Sequence, residues 1–206
     1  MEGELHIILI LDESGSMDPI RKDIIGSFNK FIREQQDLKV DNKDKTAVTF
    51  IKFNDKITKI FEKEPLEKVK EIGLDDYIPG GCTALNDAVG TMIDKYSAEK
   101  NVCFVVITDG EENSSKKYTG VLIREKIDEK KDKGWNFIYL SSDLKTATQG
   151  ACLGVRSSEQ GCTTGENNVC VGYRGLSRGI TEVVGDCVAT IRTKKLMKGM
   201  GSKVDL

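Results

Sequence analysis

The segment Leu5-His6-Ile7-Ile8-Leu9-Ile10-Leu11 is nearly continuously apolar rather than alternating, which predicts a strand covered on both faces. It stops at the polar loop Asp12-Glu13-Ser14-Gly15-Ser16. Asp18-Pro19 then has the form of an N-cap followed by proline at the first helical position, and Ile20, Ile24, Ile25, Phe28, Phe31 and Ile32 recur at helical spacing behind it. Thr46 to Phe53 reads as a strand, Asn54-Asp55 as a tight turn and Ile57 to Phe61 as a returning strand, which makes a hairpin. Leu85, Ala88, Val89, Met92, Ile93 and Tyr96 mark a second amphipathic helix. Val102 to Thr108 is a further buried strand that ends at Asp109-Gly110. A charged helix follows from about Tyr118 to Lys133, then a strand from Trp135 to Leu140. Val169, Tyr173, Leu176, Ile180 and Val184 suggest a last packed helix.

Continuous apolar strands alternating with helices define the expected fold class. It is α/β: a doubly wound, mostly parallel central sheet with helices on both faces and one antiparallel hairpin strand. The expected organisation is one domain over residues 1–190 and a basic tail over 191–206, where Arg192, Lys194, Lys195, Lys198 and Lys203 lack an apolar pattern.

Composition narrows the chemistry. A chain of 206 residues is long enough to stand on its own core. The 31 basic and 33 acidic residues leave a net charge of -2, so no bulk field draws the molecule to nucleic acid or membrane. The apolar run at the N-terminus is too short to span a bilayer and has no basic leader, and a cytoplasmic location is expected. The lone histidine, His6, excludes zinc sites built on histidine pairs and most Ser-His triads. The six cysteines form no CxxC pair and read as reduced thiols, although the spacing of Cys152, Cys162 and Cys170 leaves zinc or redox chemistry as a minor alternative.

Three polar loops occupy comparable places. Asp12, Ser14 and Ser16 follow the first strand, Thr83 precedes a helix and Asp109 follows the central buried strand. Loops at the carboxyl ends of parallel strands converge on one crevice. There they would deliver two carboxylates and three hydroxyls, all hard oxygen donors suited to a magnesium-like cation. Two carboxylates only neutralise a divalent ion, and hydroxyls donate lone pairs without charge, so the metal stays electrophilic towards an outside carboxylate. Each part also has a plainer reading: Asp12 and Ser14 as turn formers, Thr83 as an N-cap, Asp109-Gly110 as an ordinary turn pair.

Together these residues carry a family resemblance. Asp12-Glu13-Ser14-Gly15-Ser16 resembles the DxSxS motif of von Willebrand factor A domains, Thr83 after Gly80-Gly81 resembles their threonine loop, and Ile107-Thr108-Asp109-Gly110 resembles their TDG segment. The likeness covers about Glu4 to Asp143, and Leu176-Ser177 resembles compact bacterial and phage members. It implies a metal-ion-dependent adhesion site. Ser14, Ser16 and Thr83 would ligate Mg²⁺ or Mn²⁺ directly, Asp12 and Asp109 would act directly or through water, and a partner protein's Asp or Glu would complete the shell. Such members are binding modules rather than enzymes. Glu13, Gly81, Gly110 and Glu111 are expected to border the partner. With Asp18, Glu112 and Asp143, the glutamates would form an acidic rim that disfavours strongly acidic partners.

Other functions fit the residues less well. Phosphoryl transfer with Asp12 as nucleophile needs an acid–base carboxylate two residues on, where this chain has Ser14. Val105-Val106-Ile107-Thr108-Asp109 is similar to a Walker B strand, but no G-x-x-x-x-G-K-[ST] loop is present, and no complete G-x-G-x-x-G follows a strand. A metal-free scaffold is the remaining rival. Gly161-Cys162-Thr163 echoes Gly81-Cys82-Thr83 and is read as coincidence, and Asn113-Ser114-Ser115 matches a glycosylation sequon that a cytoplasmic chain would leave bare.

Overall fold

The computed structural model describes residues 4–37, 46–141 and 168–172, together with helical residues 184–185, 187–189 and 191–192. Six strands form one sheet in the order β3-β2-β1-β4-β5-β6. They are β1 (Leu5–Asp12), β2 (Thr46–Phe53), β3 (Ile57–Pro65), β4 (Val102–Thr108), β5 (Asn136–Ser141) and β6 (Asn168–Gly172). β3 runs antiparallel to β2, and all other neighbours are parallel. The helices are α1 (Arg21–Asp37), α2 (Leu85–Lys95) and α3 (Gly120–Asp132).

Each buried strand feeds two cores because successive side chains point to opposite faces. Leu5, Ile7, Leu9 and Leu11 of β1 pack with Ile24, Phe28, Phe31 and Ile32 of α1, and with Val184 and Val188 of the last helical segment. Ile8 and Ile10 face the other way, onto Leu85, Ala88, Val89, Met92 and Ile93 of α2 and onto Ile123 and Ile127 of α3. Every residue of β1 and β4 is buried, which is why their sequences read as unbroken apolar runs. β3 is largely exposed, as an edge strand with charged residues along it should be.

This order positions the functional loops. The connections leaving β1 and β4 pack on opposite faces of the sheet, so a crevice opens between the carboxyl ends of these adjacent strands. Leu11 pairs with Ile107, which sets Asp12 beside Thr108 at the lip of that crevice.

Several expectations need correction. Pro19 does not open α1; it sits inside a 3-10 turn, Gly15–Ile20, that leads into the helix at Arg21. Proline's fixed φ suits that tight turn and its missing N–H costs nothing there. Val169 lies on β6, paired with Ile138 of β5, rather than on a last helix. Arg192 is not part of a solvated tail: it is buried, and it donates from Nη1 to Gln35 Oε1 at 3.0 Å and from Nη2 to Thr46 Oγ1 at 3.3 Å. Val184 does lie in a helical segment and is buried. Tyr173, Leu176, Ser177, Ile180, Asp143, the Cys152–Cys162 stretch, Thr163 and residues 193–206 lie outside the described residues.

Candidate metal centre

Asp12 ends β1 fully buried. Its Oδ1 accepts the Ser14 amide at 2.7 Å, an Asx-type turn that swings the chain out of the strand. Its Oδ2 accepts from Thr108 Oγ1 at 2.6 Å, and its carbonyl accepts the buried Tyr77 hydroxyl at 2.6 Å. Ser14 stands at the N-cap position of the 3-10 turn without spending its side chain on a cap. The Ser14 hydroxyl instead meets Ser16 Oγ at 3.1 Å, and Ser16 Oγ donates to Asp109 Oδ1 at 2.8 Å. Four of the five residues singled out from the sequence are thus joined in one chain of contacts.

Thr83 arrives from a different loop, which is tied down at several points. The Gly80 amide donates to the Glu13 carbonyl at 2.8 Å and the Gly15 amide to the Gly81 carbonyl at 3.3 Å. Asn54 Nδ2 donates to the Gly80 carbonyl at 2.8 Å. Gly81 holds φ at +82°, a left-handed turn that favours glycine. Asn113 clasps Thr83 on both sides: its Oδ1 accepts the Thr83 amide at 2.9 Å and its own amide donates to the Thr83 carbonyl at 3.1 Å. The N-cap of α2 is Ala84, so Thr83 is not consumed as a cap, and its hydroxyl has no hydrogen-bond partner among the described residues.

The convergence can be measured from Gly110. A Cβ built on that residue would stand 2.8 Å from Thr83 Oγ1, 3.2 Å from Asp12 Oδ2 and 3.4 Å from Ser14 Oγ. Three oxygens from two separate loops therefore surround one small volume beside a third loop, which the absence of a side chain at residue 110 leaves open. Burial raises the Asp12 carboxyl above its ordinary value; hydrogen bonds from Thr108 and Ser14 offset part of this, and the Asp109 charge adds to it. Asp12 has no cationic partner among the described residues. Burial, together with the charges of Asp12, Asp109 and Glu13, likewise pushes the Tyr77 phenol far up.

The expected border is different in part. Glu13 is not on a rim: it is buried, and Oε1 accepts from Lys52 Nζ at 2.7 Å and from the Ile78 amide at 2.8 Å. Glu112 is spent between its own loop and the start of α2, accepting the amides of Asn86, Ser114 and Ser115. Gly110 is buried as the floor of the site, whereas Gly81, Glu111 and Asp18 are exposed. Sequence reasoning missed Thr108, Tyr77 and Asn113 as supports. Thr108 was legible as the residue before Asp109, but nothing in the linear pattern marks Tyr77 or Asn113. Among the described residues no group of three or more His, Cys, Asp or Glu side chains forms a metal cluster, so any ion here relies on hydroxyls.

Comparison with known proteins identifies the family and the fold. The model of the von Willebrand factor type A domain matches residues 6–159, and the chain belongs to that family. No curated protein sequence matches it significantly. Proximal thread matrix protein 1 from the mussel byssus, in a structure with a zinc-occupied MIDAS motif, aligns with a TM-score of 0.58 at 15% identity, covering 92% of this chain and 46% of that one. The manganese-loaded Plasmodium vivax TRAP protein aligns with a TM-score of 0.57 at 14% identity, over 89% of this chain and 73% of that one. The pilus adhesin SpaC from Lactobacillus rhamnosus GG, in its open conformation, gives 0.63 at 12% identity, over 92% and 30%. At such identities the likeness is one of fold. This chain spans less than half the length of the mussel protein. No helix among the described residues is long and apolar enough to cross a membrane.

Proposed function

We propose that the protein is a metal-dependent binding module rather than an enzyme. Asp12, Ser14, Ser16, Thr83 and Asp109 hold one Mg²⁺ or Mn²⁺ ion, and the ion holds an Asp or Glu carboxylate of a partner protein. The observation that carries this reading is the meeting of Thr83 Oγ1, Asp12 Oδ2 and Ser14 Oγ around a single point. A buried carboxylate without a cation, beside a second carboxylate, is a costly arrangement that a divalent ion would relieve. The hard oxygen set suits Mg²⁺ or Mn²⁺. Three neutral ligands leave the ion with charge to share, so a carboxylate is the natural occupant of an open position. A fold relative with a zinc-occupied MIDAS motif and another loaded with manganese support a divalent ion here.

Phosphoryl transfer from Asp12 is disfavoured. The position two residues on, where an acid–base carboxylate is needed, carries Ser14. We propose neither a nucleic-acid nor a membrane partner. Reduced thiols at Cys82 and Cys103 fit a reducing, cytoplasmic setting. The test is titration calorimetry of Mg²⁺ and Mn²⁺ on the folded protein and on Thr83→Ala. One ion per wild-type chain and at least tenfold weaker uptake by the variant are expected. Equal uptake by both refutes the ligand set, and no uptake by the wild type refutes the function.

A further inference from the structure

We propose that the groove beside Thr83 binds an acidic chain segment flanking the partner's metal-bound carboxylate. This rests on the functional reading above and specifies the partner: a carboxylate followed by further acidic residues, the reverse of what an acidic rim would select. The groove measures about 670 Å³ and lies between the β2–β3 turn, the start of α2 and the loop 113–117. It lies next to the metal centre: Ala84, which lines it, follows Thr83 in the chain, and Asn113, which also lines it, holds the Thr83 backbone.

Its charge is the argument. Lys56, Lys116 and Lys117 line it, all exposed, and none forms an ion pair with a described residue. Two carboxylates also line it, so the lysines leave a net positive charge of one, and both carboxylates are turned onto backbone amides. Asp87 accepts the amides of Lys116, Lys117 and Tyr118 at 2.8, 2.9 and 2.9 Å, and Asp55 accepts the Cys82 amide at 3.3 Å. Of the carboxylates expected to oppose an acidic partner, Glu13 is paired with Lys52, and Glu112 is turned onto the amides of Asn86, Ser114 and Ser115. The Ser114 hydroxyl, on the groove wall, has no hydrogen-bond partner among the described residues. A compact phosphate fits less well than a segment. The backbone amides that would cradle it already serve Asp87, and the lysines come from two different loops, which suits charges spread along a chain.

The test uses three fluorescein-labelled peptides with the full chain and Mn²⁺ at low salt. One carries a single Asp in a Gly/Ala background, one adds three Glu on one side of that Asp, and one replaces those Glu with a single phosphoserine. The wild type is expected to bind the Glu-flanked peptide about tenfold tighter than the single-Asp peptide, with the advantage shrinking as salt rises. Joint replacement Lys56→Glu, Lys116→Glu and Lys117→Glu should abolish that advantage and leave Mn²⁺ affinity and single-Asp binding unchanged. Equal binding of the first two peptides, or an advantage that survives in the triple variant, overturns the groove assignment alone. Tighter binding of the phosphoserine peptide overturns it in favour of phosphate. If Mn²⁺ fails to bind, or no peptide binds in its presence, the metal-bridged reading falls and takes this inference with it.

Discussion

Replacing Gly110 by alanine tests the geometry of the site without removing any proposed ligand. The new methyl carbon would stand 2.8 Å from Thr83 Oγ1, closer than a carbon and an oxygen rest, and a tight 3.2 Å from Asp12 Oδ2. The Thr83 hydroxyl must retreat by several tenths of an ångström, and its loop is pinned by Asn113, Asn54 and Gly15, so the retreat is resisted. Overpacking of this kind costs about 1–3 kcal/mol of stability. Mg²⁺ demands near-ideal octahedral placement at about 2.0–2.1 Å, so displacing one ligand oxygen should weaken binding at least tenfold, or by about 1.4 kcal/mol. Gly15→Ala is the matched control. A Cβ there would meet only the Gly81 carbonyl oxygen at 3.9 Å, an ordinary contact. Calorimetry with Mg²⁺ and Mn²⁺, with urea denaturation in chelator to confirm folding, should show binding lost in Gly110→Ala and kept within about twofold in Gly15→Ala. A folded Gly110→Ala protein with wild-type affinity, or equal losses in the two variants, would refute the reasoning.

Three further expectations concern stability. Burial raises the Asp12 carboxyl, so in chelator its ionisation opposes folding above the unfolded value near about 3.9; wild-type stability should rise as pH falls through the raised native value. Asp12→Asn should remove that trend, cost little at pH 7 in urea denaturation and abolish Mn²⁺ uptake. Lys52 and Glu13 form an ion pair with side chains only 13% and 8% exposed, so Lys52→Met strands a buried charge at a cost of about 3–5 kcal/mol. Joint Glu13→Gln and Lys52→Met replacement should recover much of that loss in the same denaturation assay. His6 is held below its ordinary value chiefly by burial, against a hydrogen bond that it donates to the Glu99 carboxylate, which raises it. Its contribution is therefore intact above the unfolded value of about 6.5 and lost as pH falls below it towards the lowered native value; His6→Gln should flatten the stability profile below about pH 6.5.

The parts of the fold legible in the sequence are those where burial dictates residue type. β2 and β4 run from Thr46 to Phe53 and from Val102 to Thr108, the limits that their apolar runs suggest. The site residues were legible for a related reason: short polar loops stand out against such strands, and their order places them at one end of a parallel sheet. What escaped is what depends on tertiary pairing. Val169 fits a helical period, but β6 forms because β5 offers an edge to pair with. Glu13 sits among exposed-looking loop residues, and only the fold brings Lys52 from β2 to neutralise it. Arg192 reads as one more basic residue until Gln35 of α1 and Thr46 of β2 receive it. Tyr77 lies 65 residues from Asp12 along the chain, and no local pattern announces that its hydroxyl braces the end of β1.

Anomalous diffraction at the manganese edge, from crystals grown with Mn²⁺, bears most directly on the claim that loops from β1, β4 and the start of α2 share one ion. The expected result is a single strong peak bounded by the hydroxyls of Ser14, Ser16 and Thr83, with Asp12 and Asp109 in contact directly or through water and at least one position filled by solvent or a foreign carboxylate. A peak elsewhere on the molecule, or none at these residues under saturating Mn²⁺, would contradict the account.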